Sequence, residues 1–172
     1  ELKSGKKTIQ QVKREIVKEN VKEQPDLPTD KYRVIYADPP WNYGNSGLDD
    51  YGHAERHYPC LLYTSDAAED SFRLVRAWGF KYKTSFIWNK IKHNFGYYNS
   101  VRHELLLVCT KGSCLPDNSK LFNSVQSIER KEHSEKPEEF REIIETLYTR
   151  GKKIELFSRK QTKGWDAWGN QV

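Results

Sequence analysis

Val34-Ile35-Tyr36-Ala37-Asp38-Pro39-Pro40-Trp41 is the stretch that decides the fold. Its first four residues form a short apolar run of the kind a buried strand makes. The acid, two prolines and indole that follow would then sit at the strand's carboxyl end, where open α/β sheets bind ligands. Proline fixes φ and removes a backbone donor, so Asp38 and its neighbouring carbonyls form a stiff set of acceptors. Acceptors beside an aromatic plate suit a flat ligand that carries an amino group, such as adenine or cytosine. Asp38 would accept one amine hydrogen and the Pro39 carbonyl the other, which lets the nitrogen pyramidalise and present its lone pair. Pro40 stiffens the turn. Trp41 would stack on the base, a contact worth roughly 1–3 kcal/mol. For Asp-Pro-Pro alone, an ordinary turn is an equal reading; Trp41 and the preceding strand favour the ligand.

Working outward, Asn42 to His57 has no apolar periodicity and predicts a long loop over a substrate, with Asn42 and Tyr43 as candidate contacts. Phe72 to Trp78 has a helical pattern, with Gly79 placed as its C′ residue. Thr84–Trp88 and Leu105–Cys109 predict strands. Ser134 is a candidate cap for a helix through Pro137 to Leu147, with Pro137, Glu138 and Glu139 in its first turn. Lys153–Phe157 predicts the last strand. Alternating strands and helices argue for an α/β chain with a Rossmann-like, mostly parallel sheet and flanking helices. Upstream, Ile9, Val12, Ile16 and Val17 fall at helical spacing, and a Pro- and Asp-rich linker follows. These divide the chain into a charged helix and linker, 1–30, and a main domain, 31–172.

Composition narrows the partners. A net charge of +5 with 13% aromatic residues mildly favours a polyanion such as nucleic acid. No apolar run approaches a membrane span, and no signal peptide is visible. Three cysteines without a disulfide pattern point to a reducing, cytoplasmic compartment. Cys109 and Cys114 with His93 or His103 match no metal spacing, so no metal is expected. No Gly-x-Gly-x-x-Gly or phosphate loop is present. The start at Glu1 and the lack of methionine predict a piece of a longer protein, with room for a further domain upstream.

Five motifs occur in a characteristic order: Asp38-Pro39-Pro40-Trp41, Asn99-Ser100-Val101-Arg102-His103-Glu104, His133-Ser134-Glu135-Lys136-Pro137, Glu155-Leu156-Phe157-Ser158-Arg159 and Gly164-Trp165-Asp166-Ala167-Trp168-Gly169-Asn170-Gln171. Together they resemble the N6-adenosine methyltransferase 70-kDa-subunit-like family, from about Tyr32 to Val172, and are nearest in style to its bacterial and phage branch. The resemblance implies S-adenosylmethionine as cofactor and a permuted strand order. It implies the 6-amino group of adenine as acceptor, in DNA rather than RNA. It assigns Asp38 and Pro39 to the target amine and Trp41 to the wall of the base pocket. Lys136 is assigned to the cofactor's carboxylate, and Arg159, Asn170 and Gln171 to its ribose region. Glu155 would face the cofactor or make a structural ion pair. Asn99 and Glu104 would touch the base or support the catalytic loop. Lys90, Lys92, His93 and Arg102 are candidate phosphate contacts.

One interval departs from that family. Between His57 and Trp78 it has a helix, a buried strand and another helix, whereas this chain has only a short segment. Leu61-Leu62-Tyr63-Thr64-Ser65-Asp66-Ala67-Ala68-Glu69-Asp70 resembles translated sequencing-adapter DNA instead. A sheet lacking one strand is expected, with lower stability than intact relatives have. The alternatives to a DNA enzyme are an RNA adenine methyltransferase and a non-catalytic nucleic-acid-binding relative.

Overall fold

The computed structural model describes residues 25–39, 67–95, 98–131, 136–169 and 172, with the side chains of 67–69 and 93–95 outside that description. The expected helix at 2–22, the loop 42–57 and Ser134 lie outside the described residues. So do the site residues Pro40, Trp41, Asn42, Tyr43, Asn170 and Gln171. The described elements run β1 (Val34–Ala37), α1 (Ala67–Ala77), β2 (Lys81–Phe95), β3 (Ser100–Thr110), β4 (Val125–Ser127), α2 (Glu138–Leu147), β5 (Lys153–Leu156) and β6 (Asp166–Trp168). They divide into two compact units, one combining the start of the chain with residues from Lys152 onward, the other Ser71–Gly151.

The first unit holds a three-stranded parallel sheet in the order β1-β5-β6. Ala37 registers with Leu156, and Leu156 with Trp168. Side chains alternate across a strand, so Ile154, Leu156 and Trp168 share one face and form the buried cluster, with Tyr32, Ala37 and Phe157 against it. On the other face, the Tyr36 ring meets Trp165 edge-on at 6.3 Å, and both are buried. The Trp168 indole N–H donates to the Pro25 carbonyl at 2.8 Å, tying down the linker. The Tyr32 hydroxyl donates to Asp166 at 2.8 Å.

The second unit holds the sheet β3-β2-β4. Its β2–β4 pairing is parallel, but β2 and β3, both expected in a mostly parallel sheet, pair antiparallel. That antiparallel pairing lets both strands run well past the expected Thr84–Trp88 and Leu105–Cys109, as a connection of a few residues between them permits. Trp88, Phe140 and Ile143 are buried where α2 covers this sheet, with Phe86, Leu106, Phe122, Ile128 and Leu147 around them. Each such side chain stabilises the unit by about 1.5–3 kcal/mol.

The expected end of α1 is present in full. Gly79 adopts φ +76°, its N–H donates to the Arg76 carbonyl, and Phe80 N–H reaches back to Val75, both at 2.9 Å. This is the double hydrogen bond of a left-handed helix stop. At the start of α2, Pro137 precedes the first helical residue instead of lying within the first turn, and no side chain caps it. Strand β5 stops at Leu156, one residue early, because Phe157 turns to φ +62°. Strands β4 and β6 have three residues each and no apolar alternation that would announce them. The architecture is α/β, with three of the four strand pairings among the described residues parallel, as in a truncated Rossmann-like domain. No helix among the described residues is long and apolar enough to cross a membrane.

Candidate active site

In the first unit the parallel register brings the carboxyl ends of three strands to one edge. Asp38 follows β1, the turn Phe157-Ser158-Arg159 follows β5, and Gly169 follows β6. Asn170 and Gln171 come next in sequence but lie outside the described residues. At this edge Asp38 is exposed and Pro39 is buried. The Asp38 motif therefore meets the two motifs of the chain's last twenty residues at the location where α/β sheets place ligands.

The turn after β5 is tightly specified. A bulky residue at φ +62° is uncommon. Phe157 is fixed there by its ring, which lies edge-on to Trp168 at 5.2 Å. Ser158 is 2% exposed; its N–H donates to the Trp168 carbonyl at 3.0 Å, and its hydroxyl donates to the Lys160 carbonyl at 2.7 Å. Arg159 lies between Ser158 and Lys160, which that hydroxyl links, and is exposed. Glu155 is half-buried on the face opposite Ile154 and Leu156, in register with Tyr36 and Ala167.

A second cluster belongs to the other unit. Glu104 lies within β3, not before it, in register with Trp88. Its carboxylate accepts from Lys136 at 2.7 Å through one oxygen and from Lys90 through the other. Both ammonium groups lie over the Trp88 ring, at 5.1 Å for Lys90 and 6.0 Å for Lys136. Trp88 is itself fixed by its N–H, which donates to the Ile128 carbonyl at 2.7 Å. Burial pushes the Glu104 carboxyl up, but the charges and hydrogen bonds of Lys136 and Lys90 outweigh it and hold the group below the usual glutamate range. A shallow hollow beside this cluster is lined by Trp88, Ile128, Glu129, Lys131, Lys136 and Pro137.

The structure thus brings together Glu104 and Lys136, which the sequence assigned to different roles, and adds Trp88 and Lys90, which it did not assign to this site. Lys90 was expected at phosphates and instead meets a carboxylate; Lys92 pairs with Glu129. One signal was available: Phe86, Trp88 and Lys90 alternate on one strand face, as do Glu104 and Leu106 on the other strand. Asn99 is exposed just before β3, and His103 is exposed opposite Asn89, away from Glu104's face. The Cys109 thiol is pushed up by burial and is a poor nucleophile.

Comparison with known proteins gives the following relationships. A family model described as MT-A70 matches residues 54–171. The chain is 34% identical over 188 aligned positions to the Type II methyltransferase M.MunI of Mycoplasma sp, covering 86% of this chain and 81% of that protein. It is 28% identical to the N(6)-adenosine-methyltransferase catalytic subunit METTL3 of Homo sapiens, over 83% of this chain and 28% of that protein. The N(6)-adenosine-methyltransferase MT-A70-like protein of Arabidopsis thaliana is also 28% identical, over 82% of this chain and 24% of its own length. The chain thus spans about a quarter of the eukaryotic relatives. The family-model match begins after Trp41, but coverage of 82–86% leaves at most about thirty residues outside an alignment, so Asp38–Trp41 fall within the aligned spans. Since 86% of 172 residues is about 148, the Mycoplasma alignment contains some forty positions with no residue in this chain.

Proposed function

The chain belongs to the MT-A70 family, and on that premise we propose that it transfers a methyl group to the 6-amino nitrogen of adenine in DNA. The observation that carries the proposal is the shared strand edge, where the Asp38-Pro39 turn and the Arg159 turn lie at adjacent carboxyl ends of parallel strands. DNA is favoured over RNA because the relative aligned over most of its own length is the Type II methyltransferase of Mycoplasma sp, whereas the N(6)-adenosine-methyltransferases share only a quarter of theirs. The enzyme would act in the cytoplasm of a bacterial or phage-infected cell.

S-adenosylmethionine supplies a methyl group made electrophilic by a positively charged sulfur. Lys136 fits its carboxylate: the ammonium is part-buried just ahead of α2, where backbone donors also favour an anion, and its three donors can serve Glu104 and a ligand together. Arg159, Asn170 and Gln171 offer donors and acceptors for the ribose, and Glu155 an acceptor for the ammonium end. Asp38 and the Pro39 carbonyl take the two amine hydrogens of the base. With both hydrogens held by Asp38 and Pro39, the amine lone pair would be free to accept the methyl group that bound S-adenosylmethionine would supply, itself leaving as a neutral thioether. One proton leaves the nitrogen after transfer. Positioning and electrostatics supply the rate, with no covalent enzyme intermediate. Trp41, with Asn42 and Tyr43, would receive the base, which must leave the duplex to reach them.

The test is transfer of labelled methyl to adenine-containing DNA and RNA. Transfer to DNA that disappears in Asp38→Ala supports the proposal. Preference for RNA would reassign the substrate. Binding to nucleic acid with no transfer to either would make the chain a non-catalytic relative.

A further inference from the structure

The cluster around Glu104 contains one more cation than holding a cofactor carboxylate requires. An isolated Lys136–Glu104 pair would be neutral. A ligand carboxylate approaching Lys136 would then meet Glu104 beside it, and like charges at such a distance repel strongly in a part-buried site. Lys90 changes that balance. It contacts the Glu104 oxygen that Lys136 does not use, and its side chain is only 14% exposed. The other acid at the hollow, Glu129, is paired with Lys92, and Lys131 adds a further positive charge.

The backbone leaves regular pairing where Lys90 makes this contact. Strand pairing breaks immediately after Asn89, which faces His103, and resumes at Asn94, which faces Val101, so four residues of β2 oppose one of β3. Ile91 within this bulge adopts φ +65°, a costly conformation for a β-branched residue. Its N–H is held by the Asn89 side-chain oxygen at 3.1 Å, and Asn89 is in turn anchored by its amide to Ser127 at 3.0 Å. Bulges of this kind re-aim side chains next to functional sites.

We propose that Lys90 is a positioning residue that neutralises Glu104, so that Lys136 keeps its charge for the cofactor's carboxylate and the site selects cofactors that carry one. The proposal rests on the assignment of Lys136 above and goes beyond it by naming the residue that makes the assignment electrostatically workable. Glu104 then acts as a pin that holds Lys136 in place without competing for it.

Calorimetry of the whole chain with S-adenosylmethionine and with decarboxylated S-adenosylmethionine tests this. The unmodified chain should prefer the carboxylate-bearing form. Lys90→Met should weaken that form by about tenfold and the decarboxylated one by less than about twofold, a difference no general loss of packing would produce. Lys90→Arg should keep the preference. Adding Glu104→Gln to Lys90→Met should restore most of it, because the uncompensated acid is gone. Lys90→Gln reads the same ratio should the methionine variant fail to fold. Equal weakening of both ligands by Lys90→Met, or no change in either, would overturn the proposal. A preference abolished by Lys136→Met but untouched by Lys90→Met overturns this inference alone. A preference that survives Lys136→Met overturns the Lys136 assignment as well.

Discussion

Glu104 shows how a single residue can be visible in a sequence while its role is not. Its motif was legible, and alternation puts Lys90 on the same face as Trp88, but the pairing that sets β2 beside Glu104 was not, because periodicity does not say which strands are neighbours. Asp38 was the reverse case, since an apolar run ending in Asp-Pro-Pro announces both the strand and the acid at its end. The depressed Glu104 carboxyl carries a consequence for stability. A folded-state value below the ordinary 4.5 contributes stability that is complete above that pH and is lost as the pH falls through the lower folded value. The melting midpoint should therefore exceed that of Glu104→Gln at neutral pH, with the gap closing progressively below about pH 4.5. A gap that stays constant from neutral pH to pH 3 would mean that Glu104 is not held ionised by its lysines.

Among elements, α1 was read almost to its last residue because Gly79 marks a left-handed stop that few other residues tolerate. Gly79→Ala places a Cβ at 3.4 Å from the flexible Lys111 ammonium, so space is available and the φ of +76° is the cost. A loss of about 1 kcal/mol in urea unfolding is expected, and no loss would mean that the stop is not under conformational strain. The end of α2 at Leu147 was read as well, but the clip that holds it was not, because its partner is distant in sequence. Asp117, with a side chain 6% exposed, accepts from the Thr149 N–H and hydroxyl and from Arg150, and its own N–H donates to the Leu147 carbonyl at 2.7 Å. Asp117→Ala leaves these donors without their acceptor and should cost about 2–3 kcal/mol in the same measurement, whereas a cost under about 0.5 would refute the clip. Strands β4 and β6 were missed for a related reason: three residues such as Asp166-Ala167-Trp168 acquire their conformation from pairing with a neighbour, not from their own pattern.

At the scale of the molecule, the α/β class was legible because apolar strand runs alternate with helical patterns, and motifs such as Asp38-Pro39 and Glu155–Arg159 end strands. The division of the described strands between two small sheets was not, because which strands pair is set by contacts distant in sequence. In the second sheet, Leu105, Ile87 and Val125 form one row, and Leu105 and Val125 remain 52% and 49% exposed. An apolar row left in water forfeits about 25 cal/mol per Å² of the burial it would otherwise have. Replacing residues 60–70 with the corresponding interval of the Mycoplasma relative should raise the melting midpoint by several degrees; an unchanged midpoint would show that the short interval costs nothing. None of this bears on activity as directly as the acid at the end of β1. The decisive measurement is single-turnover methyl transfer to an adenine-containing DNA strand by the chain and its Asp38→Asn variant, both saturated with S-adenosylmethionine. The variant should bind the cofactor normally and transfer at least about a hundredfold more slowly, because the anionic acceptor that shapes the amine becomes a neutral amide with a donor beside its oxygen. Equal rates at equal occupancy would contradict the account.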